Sequence, residues 1–347
     1  MRPANGYFFE DYAVGQAFDH AVPRTITQGD CALYQALTGS RNPLHCSEPF
    51  AQLLGYPAMP VDDLLVFHIA FGKTVPDISW NAVANLGYAD CRFVRPVFIG
   101  DTLRAQTTIL GLKPNSSGKS GVVYVRSSAY NQRDELVLTW VRWVMVHRRA
   151  AAGGAAPGEG CTAFADSVDA GALRKPLKAA AGTTVARATG SDRFWEDYAA
   201  DAEIRHPAGM TLDETDHTLA TKLYQNTARV HFDLKHMQSS RFGKRLVYGG
   251  QVISICRALS FDGLENALSI LAINGGSHLN PTFAGDTLYA VSRVLGKWPV
   301  DAHHGALRLA LFGYKNVDPA SAEFNDNGEA QKVLSLDYTV LMPRRGG

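Results

Sequence analysis

Arg95-Pro-Val-Phe-Ile-Gly-Asp-Thr-Leu103 returns farther along the chain as Asn280-Pro-Thr-Phe-Ala-Gly-Asp-Thr-Leu288. Six of the nine positions are identical, and the two copies lie 185 residues apart. Phe8-Phe-Glu-Asp-Tyr-Ala13 is matched by Phe194-Trp-Glu-Asp-Tyr-Ala199 at an offset of 186. Thr25, Asp30 and His45 are matched by Thr211, Asp216 and His231 at the same offset. An offset held across separated segments is the signature of an internal repeat. The chain therefore reads as two copies of one fold, joined head to tail. A duplicated fold can imitate a homodimer and then let one of two equivalent sites decay.

With 347 residues the chain is comfortable for two cores. The hydrophobic fraction of 46% and charged fraction of 19% are ordinary for a globular protein. A net charge of +1 gives no bulk electrostatic case for nucleic acid or an anionic membrane as a partner. The five cysteines are scattered, with no CxxC pair and no metal-type spacing. They predict reduced thiols in a cytoplasmic protein. The N-terminus carries no apolar stretch of the signal-peptide kind. Homo-oligomer formation is compatible with the sequence.

Residues 150–186 differ from the rest. Ala150-Ala-Ala-Gly-Gly-Ala-Ala-Pro-Gly-Glu-Gly160 is rich in small and turn residues, which predicts a linker, flexible in part, between domains at 1–149 and 187–347. Each half then has the same order. A polar capping position precedes a helix, at about 28–37 and 214–223. A turn and the repeated histidine follow. Next comes a helix apolar nearly all round, Leu64 to Phe71 and Val252 to Leu259, which predicts burial. Period-two strands close each half, at 122–130 and 136–146 and again at 307–314 and 333–341. The second half has the longer loop between its last two strands, near 318–327. A buried helix followed by long antiparallel strands predicts an α+β fold, with two curved sheets joined edge to edge.

The residues around the repeated histidine carry the chemistry. Tyr34-Gln-Ala-Leu-Thr-Gly-Ser-Arg-Asn-Pro-Leu-His45 resembles the signature of the MaoC-like, (R)-specific enoyl-CoA hydratases (hydratase 2), and Phe93 to Leu103 is similar to a second segment of that family. The resemblance implies a double hotdog fold and an acyl-CoA thioester as substrate. A narrower resemblance lies in Asp62 to Ser79, Tyr224-Gln-Asn-Thr-Ala-Arg-Val-His-Phe232 and Ala272-Ile-Asn-Gly-Gly-Ser277. These strings are similar to the mesaconyl-CoA hydratase (β-methylmalyl-CoA dehydratase) family. That implies a lyase reversibly hydrating mesaconyl-CoA without a cofactor.

The hydratase pattern has an aspartate five residues before the histidine. Here that position holds Ser40 in the first half and Asn226 in the second. Neither can be a carboxylate base, but Asn226 can orient a water. His231 is then the titrating group, with an unperturbed pKa of about 6.5. Val247-Tyr-Gly-Gly250 keeps glycines where the second buried helix begins. There a backbone amide of Gly249 or Gly250 could stabilise an enolate oxygen, worth ~3 kcal/mol. The first half has Asp62 and Asp63 at that place, where carboxylates would oppose an oxyanion and more naturally cap the helix.

The second half is therefore the expected active half, with His231 and Asn226 catalytic. Arg229, Lys235 and Arg241 are the candidates for the substrate carboxylate or CoA. Ser40, Asn42, His45, Asp62 and Asp63 form the second-choice site. His68 is expected to be a satisfied core residue, and Asp101 and Asp286 to bond their own turns. His278 has no spacing that recommends it. No metal site and no nucleotide loop is expected. The alternatives are a general (R)-specific enoyl-CoA hydratase, a hotdog acyl-CoA thioesterase, and a non-catalytic acyl-CoA-binding protein.

Overall fold

The computed structural model describes residues 3–149, 160–178, 180 and 182–346. Most of the alanine- and glycine-rich stretch expected to be a linker, 150–159, lies outside the described residues. In the first half, β1 (Ala17–Thr25) leads to α1 (Gln28–Thr38), α2 (Pro43–Cys46), α3 (Glu48–Leu53) and α4 (Asp63–Ile78). The strands β2 (Ala82–Phe93), β3 (Thr102–Pro114), β4 (Ser120–Tyr130) and β5 (Leu136–His147) follow. After the connection and α5 (Gly182–Thr189) the order repeats. It runs β6 (Glu203–Arg205), β7 (Met210–Thr211), α6 (Glu214–Leu223), α7 (Arg229–Phe232), α8 (Leu234–Met237) and α9 (Gly249–Leu259). The closing elements are β8 (Ser269–His278), β9 (Thr287–Pro299), β10 (His304–Lys315), α10 (Glu323–Gln331) and β11 (Lys332–Pro343).

Local chemistry explains the boundaries. The Thr27 hydroxyl accepts from the Asp30 amide at the start of α1, and the Asp30 carboxylate accepts from the Thr27 amide. That reciprocal pair satisfies two otherwise orphaned donors. Gly39 closes α1 in the left-handed region at φ 67. The helix α4 runs past the apolar segment read from sequence and carries Pro76 within it. The long loop expected near 318–327 contains the start of α10. The repeat holds atom by atom in the turns. The Phe98 amide donates to Asp101 at 2.9 Å, and its counterpart Phe283 donates to Asp286 at 2.9 Å. Both aspartates thus serve their own turns.

Among the described residues, eleven strands form one sheet in the order β1-β3-β4-β5-β2-β8-β11-β10-β9-β6, with β7 also on β9. The halves meet where β2 pairs antiparallel with β8, Ala89 opposite Gly275. These two residues are themselves repeat partners, so a pseudo-twofold axis passes between them. Both long helices lie against the sheet, and one hydrophobic core runs through both halves, from Phe67 and Trp140 to Ile253 and Leu307. Polar bonds cross the same boundary. Tyr34 donates to Ser254 at 3.0 Å, and the Gln251 amide donates to the Leu37 carbonyl at 2.9 Å.

The segment after 160 is tied to the sheet. Cys161 donates its amide to Leu110, Phe164 stacks on Trp143, and Val168 donates to Asn274. Helix α5 begins inside the stretch read as linker.

Candidate active site

His45 and His231 occupy equivalent short helices, α2 and α7. Each ring is held in the same way. His45 Nδ1 lies 3.0 Å from the Pro60 carbonyl, and His231 Nδ1 lies 2.9 Å from the Leu246 carbonyl. A carbonyl only accepts, so in each ring Nδ1 is the nitrogen that donates. The two histidines diverge in what surrounds them.

His231 lines a cavity of about 350 Å³. The second half contributes Asn226, Tyr248, Gly249 and His278; the first contributes Tyr88 and Arg142. Among the described residues none of the lining side chains is a carboxylate. Burial pushes the His231 imidazole down to about 4, with the Leu246 carbonyl acting against the shift and His217 and His278 adding to it. The ring is therefore neutral at pH 7, and its pKa lies below the ordinary histidine value expected from sequence. His278 is also pushed down to about 4 by burial, and its Nε2 lies 3.2 Å from the Tyr88 hydroxyl.

Asn226 is buried, and its Oδ1 accepts from the Ala228 amide at 3.1 Å. That contact fixes the amide orientation, because only the oxygen can accept. The nitrogen end makes no protein hydrogen bond among the described residues. The backbone that carries Asn226 is pressed against α4 at Gly72, where a side chain would collide with the Tyr224 carbonyl. The N-terminus of α9 opens on the same cavity, with Tyr248 as its N-cap and no side chain capping it. The first amides of the helix, at Gly249 and Gly250, are of the kind left unpaired within a helix. A side chain at Gly249 would strike the His278 ring, and one at Gly250 would strike Tyr248 and His68. His68 itself is satisfied, with Nε2 2.8 Å from the Ser254 hydroxyl.

Around His45 the space is about 20 Å³, hardly more than one water. Its lining includes Ser40, Asn42, Asp62 and Asp63. Asn42 caps α2 by accepting from the Leu44 amide, and Asp62 caps α4 by accepting from Leu64. Asp63 pairs with Arg174 at 3.3 Å and accepts from the Ile270 amide at 2.9 Å. The second-choice residues are thus gathered around one small space, but the side chains of Asn42, His45, Asp62 and Asp63 are engaged by the fold rather than by one another.

The three cations chosen from sequence sit differently. Arg241 lines the large cavity, its guanidinium 4.5 Å from the Phe242 ring. Arg229 is exposed on α7 and lies over Trp80; Lys235 is exposed on α8. Arg142 went unnoticed, although it carried a signal. Leu138, Trp140, Arg142, Val144 and Val146 occupy the same phase of one strand, and a charge in that inward phase is an anomaly. His278 was passed over because its neighbours come from β2 and α9, far away in sequence. Among the described residues no group of three or more His, Cys, Asp or Glu is placed to hold a metal ion.

The sheet, the paired buried helices and the histidine-bearing turns define a double hotdog protein of the MaoC-like hydratase and dehydratase class. A solved Chloroflexus aurantiacus structure, described as a putative MaoC domain protein dehydratase, matches with a TM-score of 0.94 at 50% identity over 100% of both chains. A Mycobacterium tuberculosis protein described as having a double hotdog fold matches with a TM-score of 0.81 at 26% identity, over 99% of this chain and 100% of that one. Within the class, a family model described as mesaconyl-CoA hydratase matches residues 3–319. The chain is 51% identical to a β-methylmalyl-CoA dehydratase of Chloroflexus aurantiacus over 98% of each chain. It is 49% identical to a mesaconyl-CoA hydratase of Cereibacter sphaeroides, covering 99% of this chain and 100% of the relative. The chain belongs to the mesaconyl-CoA hydratase family.

Proposed function

We propose that this chain is a hydro-lyase that reversibly adds water to mesaconyl-CoA, giving β-methylmalyl-CoA, with no cofactor. Near-half identity over the full length of two relatives bearing those names supports the substrate. The observation that carries the chemistry is His231, neutral, with its Nε2 lone pair free, in a cavity that has no carboxylate among its described lining residues.

In the hydration direction, the Asn226 amide nitrogen donates to a water and the water donates to His231 Nε2. The base takes the proton as the water oxygen bonds to the β-carbon. Electrons shift to the thioester oxygen, where the first amides of α9, at Gly249 and Gly250, stabilise the enolate. The histidine then returns the proton to the α-carbon, and one water has been added. An imidazole with a pKa of about 4 is a weak base in the empty site. The enolate and the substrate's own carboxylate bring negative charge, which raises it during the reaction.

Arg241, which lines the cavity, is assigned to the CoA phosphates, with the exposed Arg229 and Lys235 as further candidates. Five free cysteines suit a reducing compartment, and we place the protein in the cytoplasm. No helix among the described residues is long and apolar enough to cross a membrane. The test is direct. Purified protein and mesaconyl-CoA should lose enoyl-thioester absorbance and yield a product heavier by one water. Release of free thiol, or no reaction, would sink the proposal.

A further inference from the structure

Arg142 is fully buried, yet among the described residues it pairs with no carboxylate. Its guanidinium donates to Ser79 Oγ at 2.8 Å, Thr74 Oγ1 at 3.0 Å and, weakly, Asn85 Oδ1 at 3.5 Å. Its Nε has no partner, and the Phe71 ring lies 4.2 Å from its central carbon. Burying a cation among neutral dipoles is costly, and native proteins rarely tolerate it without an anion. Burial pulls the group down to about 10, so it remains charged at neutral pH.

The fold does not require this charge. Strand pairing sets Ala89 opposite Val141 in the first half and Gly275 opposite Asp337 in the second. Since Ala89 and Gly275 are repeat partners, Arg142 corresponds to Tyr338. The β4–β5 and β10–β11 pairings agree, with Val125 opposite Arg142 and Leu309 opposite Tyr338. The cation is therefore present on one side of the pseudo-twofold only, and it is the side whose wall joins the His231 cavity.

We infer that Arg142 receives the free carboxylate of the acyl group and so sets the preference for a dicarboxylic enoyl-CoA. This rests on the hydration reading above. A guanidinium fork matches a carboxylate, and an anion arriving there would complete the pairing that the empty site lacks. The carboxylate also sits on the carbon that water attacks. Neutralising it eases approach of the nucleophile, so the residue should act on kcat as well as on KM.

The experiment compares mesaconyl-CoA with (E)-2-methylbut-2-enoyl-CoA, the same thioester with methyl in place of the carboxylate. Arg142→Met should lower kcat/KM for mesaconyl-CoA by ~10²-fold or more, as expected when a buried polar partner is left unpaired. The neutral ester should change by less than about threefold. Arg142→Lys keeps the charge without the fork and should fall between; it carries the comparison should the Met variant not fold. Equal losses on both esters, or an unchanged preference, would overturn the assignment. Binding of two unreactive esters, 2-methylsuccinyl-CoA and 2-methylbutanoyl-CoA, separates this idea from the reaction itself. Wild-type preference for the first, abolished in the variants, supports Arg142 even in a protein that does not hydrate mesaconyl-CoA. Equal affinity of the wild type for both refutes it.

Discussion

The two histidine sites share a backbone and differ in almost everything else. His45 and His231 stand on equivalent helices with equivalent carbonyl partners. One faces a space of about 20 Å³ walled by Asp62 and Asp63, the other a cavity of about 350 Å³ with no carboxylate among its described lining. Where α9 begins with Gly249, α4 begins with Asp63, whose carboxylate is committed to Arg174 and the Ile270 amide. Preserved geometry around one residue is thus weak evidence of a preserved site. Room for the substrate and the sign of the charge at the helix start separate the two far more sharply.

The largest expected effect breaks or confirms this contrast. His231→Ala removes the proposed base and should cut turnover of mesaconyl-CoA by ~10²–10⁴-fold, the span of a general acid–base group. His45→Ala should leave turnover within about twofold and act on stability, since its ring only holds the Pro60 carbonyl. A large loss at His45 beside a silent His231 would move the chemistry to Ser40, Asn42 and His45.

The helix starts come next. Gly249→Ala would drive a methyl into the His278 ring. The helix end must then shift, and the amides lose their aim at the thioester oxygen. A loss of ~10² in kcat is expected, as for one oxyanion donor. Asp63→Ala, at the equivalent place, should lower thermal stability and spare kcat. Equal kinetic losses for the two would mean that neither helix start is special.

Much of this was legible in the sequence for a physical reason. The repeat, the buried helices and the strand pairs rest on local periodicity, and the structure reproduces their order. The histidine turns were legible from spacing. The rest depends on contacts between distant segments. Arg142 faces the cavity because β2, β5 and α4 meet there. His278 takes its place in the cavity wall beside Tyr88 and Gly249, 190 and 29 residues away in sequence. Nor could composition reveal the pKa of His231, because burial is a property of the assembled wall.

A smaller effect tests the water's orientation. Asn226→Ala should lower kcat by about tenfold and change KM less, because aligning the nucleophile matters chiefly in the transition state. Asn226→Asp should not gain activity. A carboxylate there would raise the pKa of His231 but repel the free carboxylate of the substrate and the enolate that forms beside it. Ser40→Ala, the equivalent change beside His45, should be silent. A gain for Asn226→Asp would show that the site still works as an Asp–His pair.

The smallest expected effect is a near-absence of change, and it isolates the cavity's influence on His231. Burial holds the neutral imidazole down to about 4. From pH 5.5 to 8 the free enzyme should therefore keep its base unprotonated, and kcat/KM should vary by less than about twofold. A histidine with the ordinary pKa of about 6.5 would lose about tenfold at pH 5.5. The inhibition constant of 2-methylsuccinyl-CoA over the same range corrects for titration of the CoA phosphates. The lower limit is set by stability. His68, His206, His217, His231 and His278 are all pushed down by burial. The unfolded chain binds more protons at these sites, so their contribution is complete above about 6.5 and is lost as pH falls through about 4, or about 3 for His68. Thermal melts at each pH would mark where folding intrudes. An inflection near 6.5 in a protein still folded at that pH would show that His231 is solvated in the free enzyme, and the contrast with His45 would then rest on space alone.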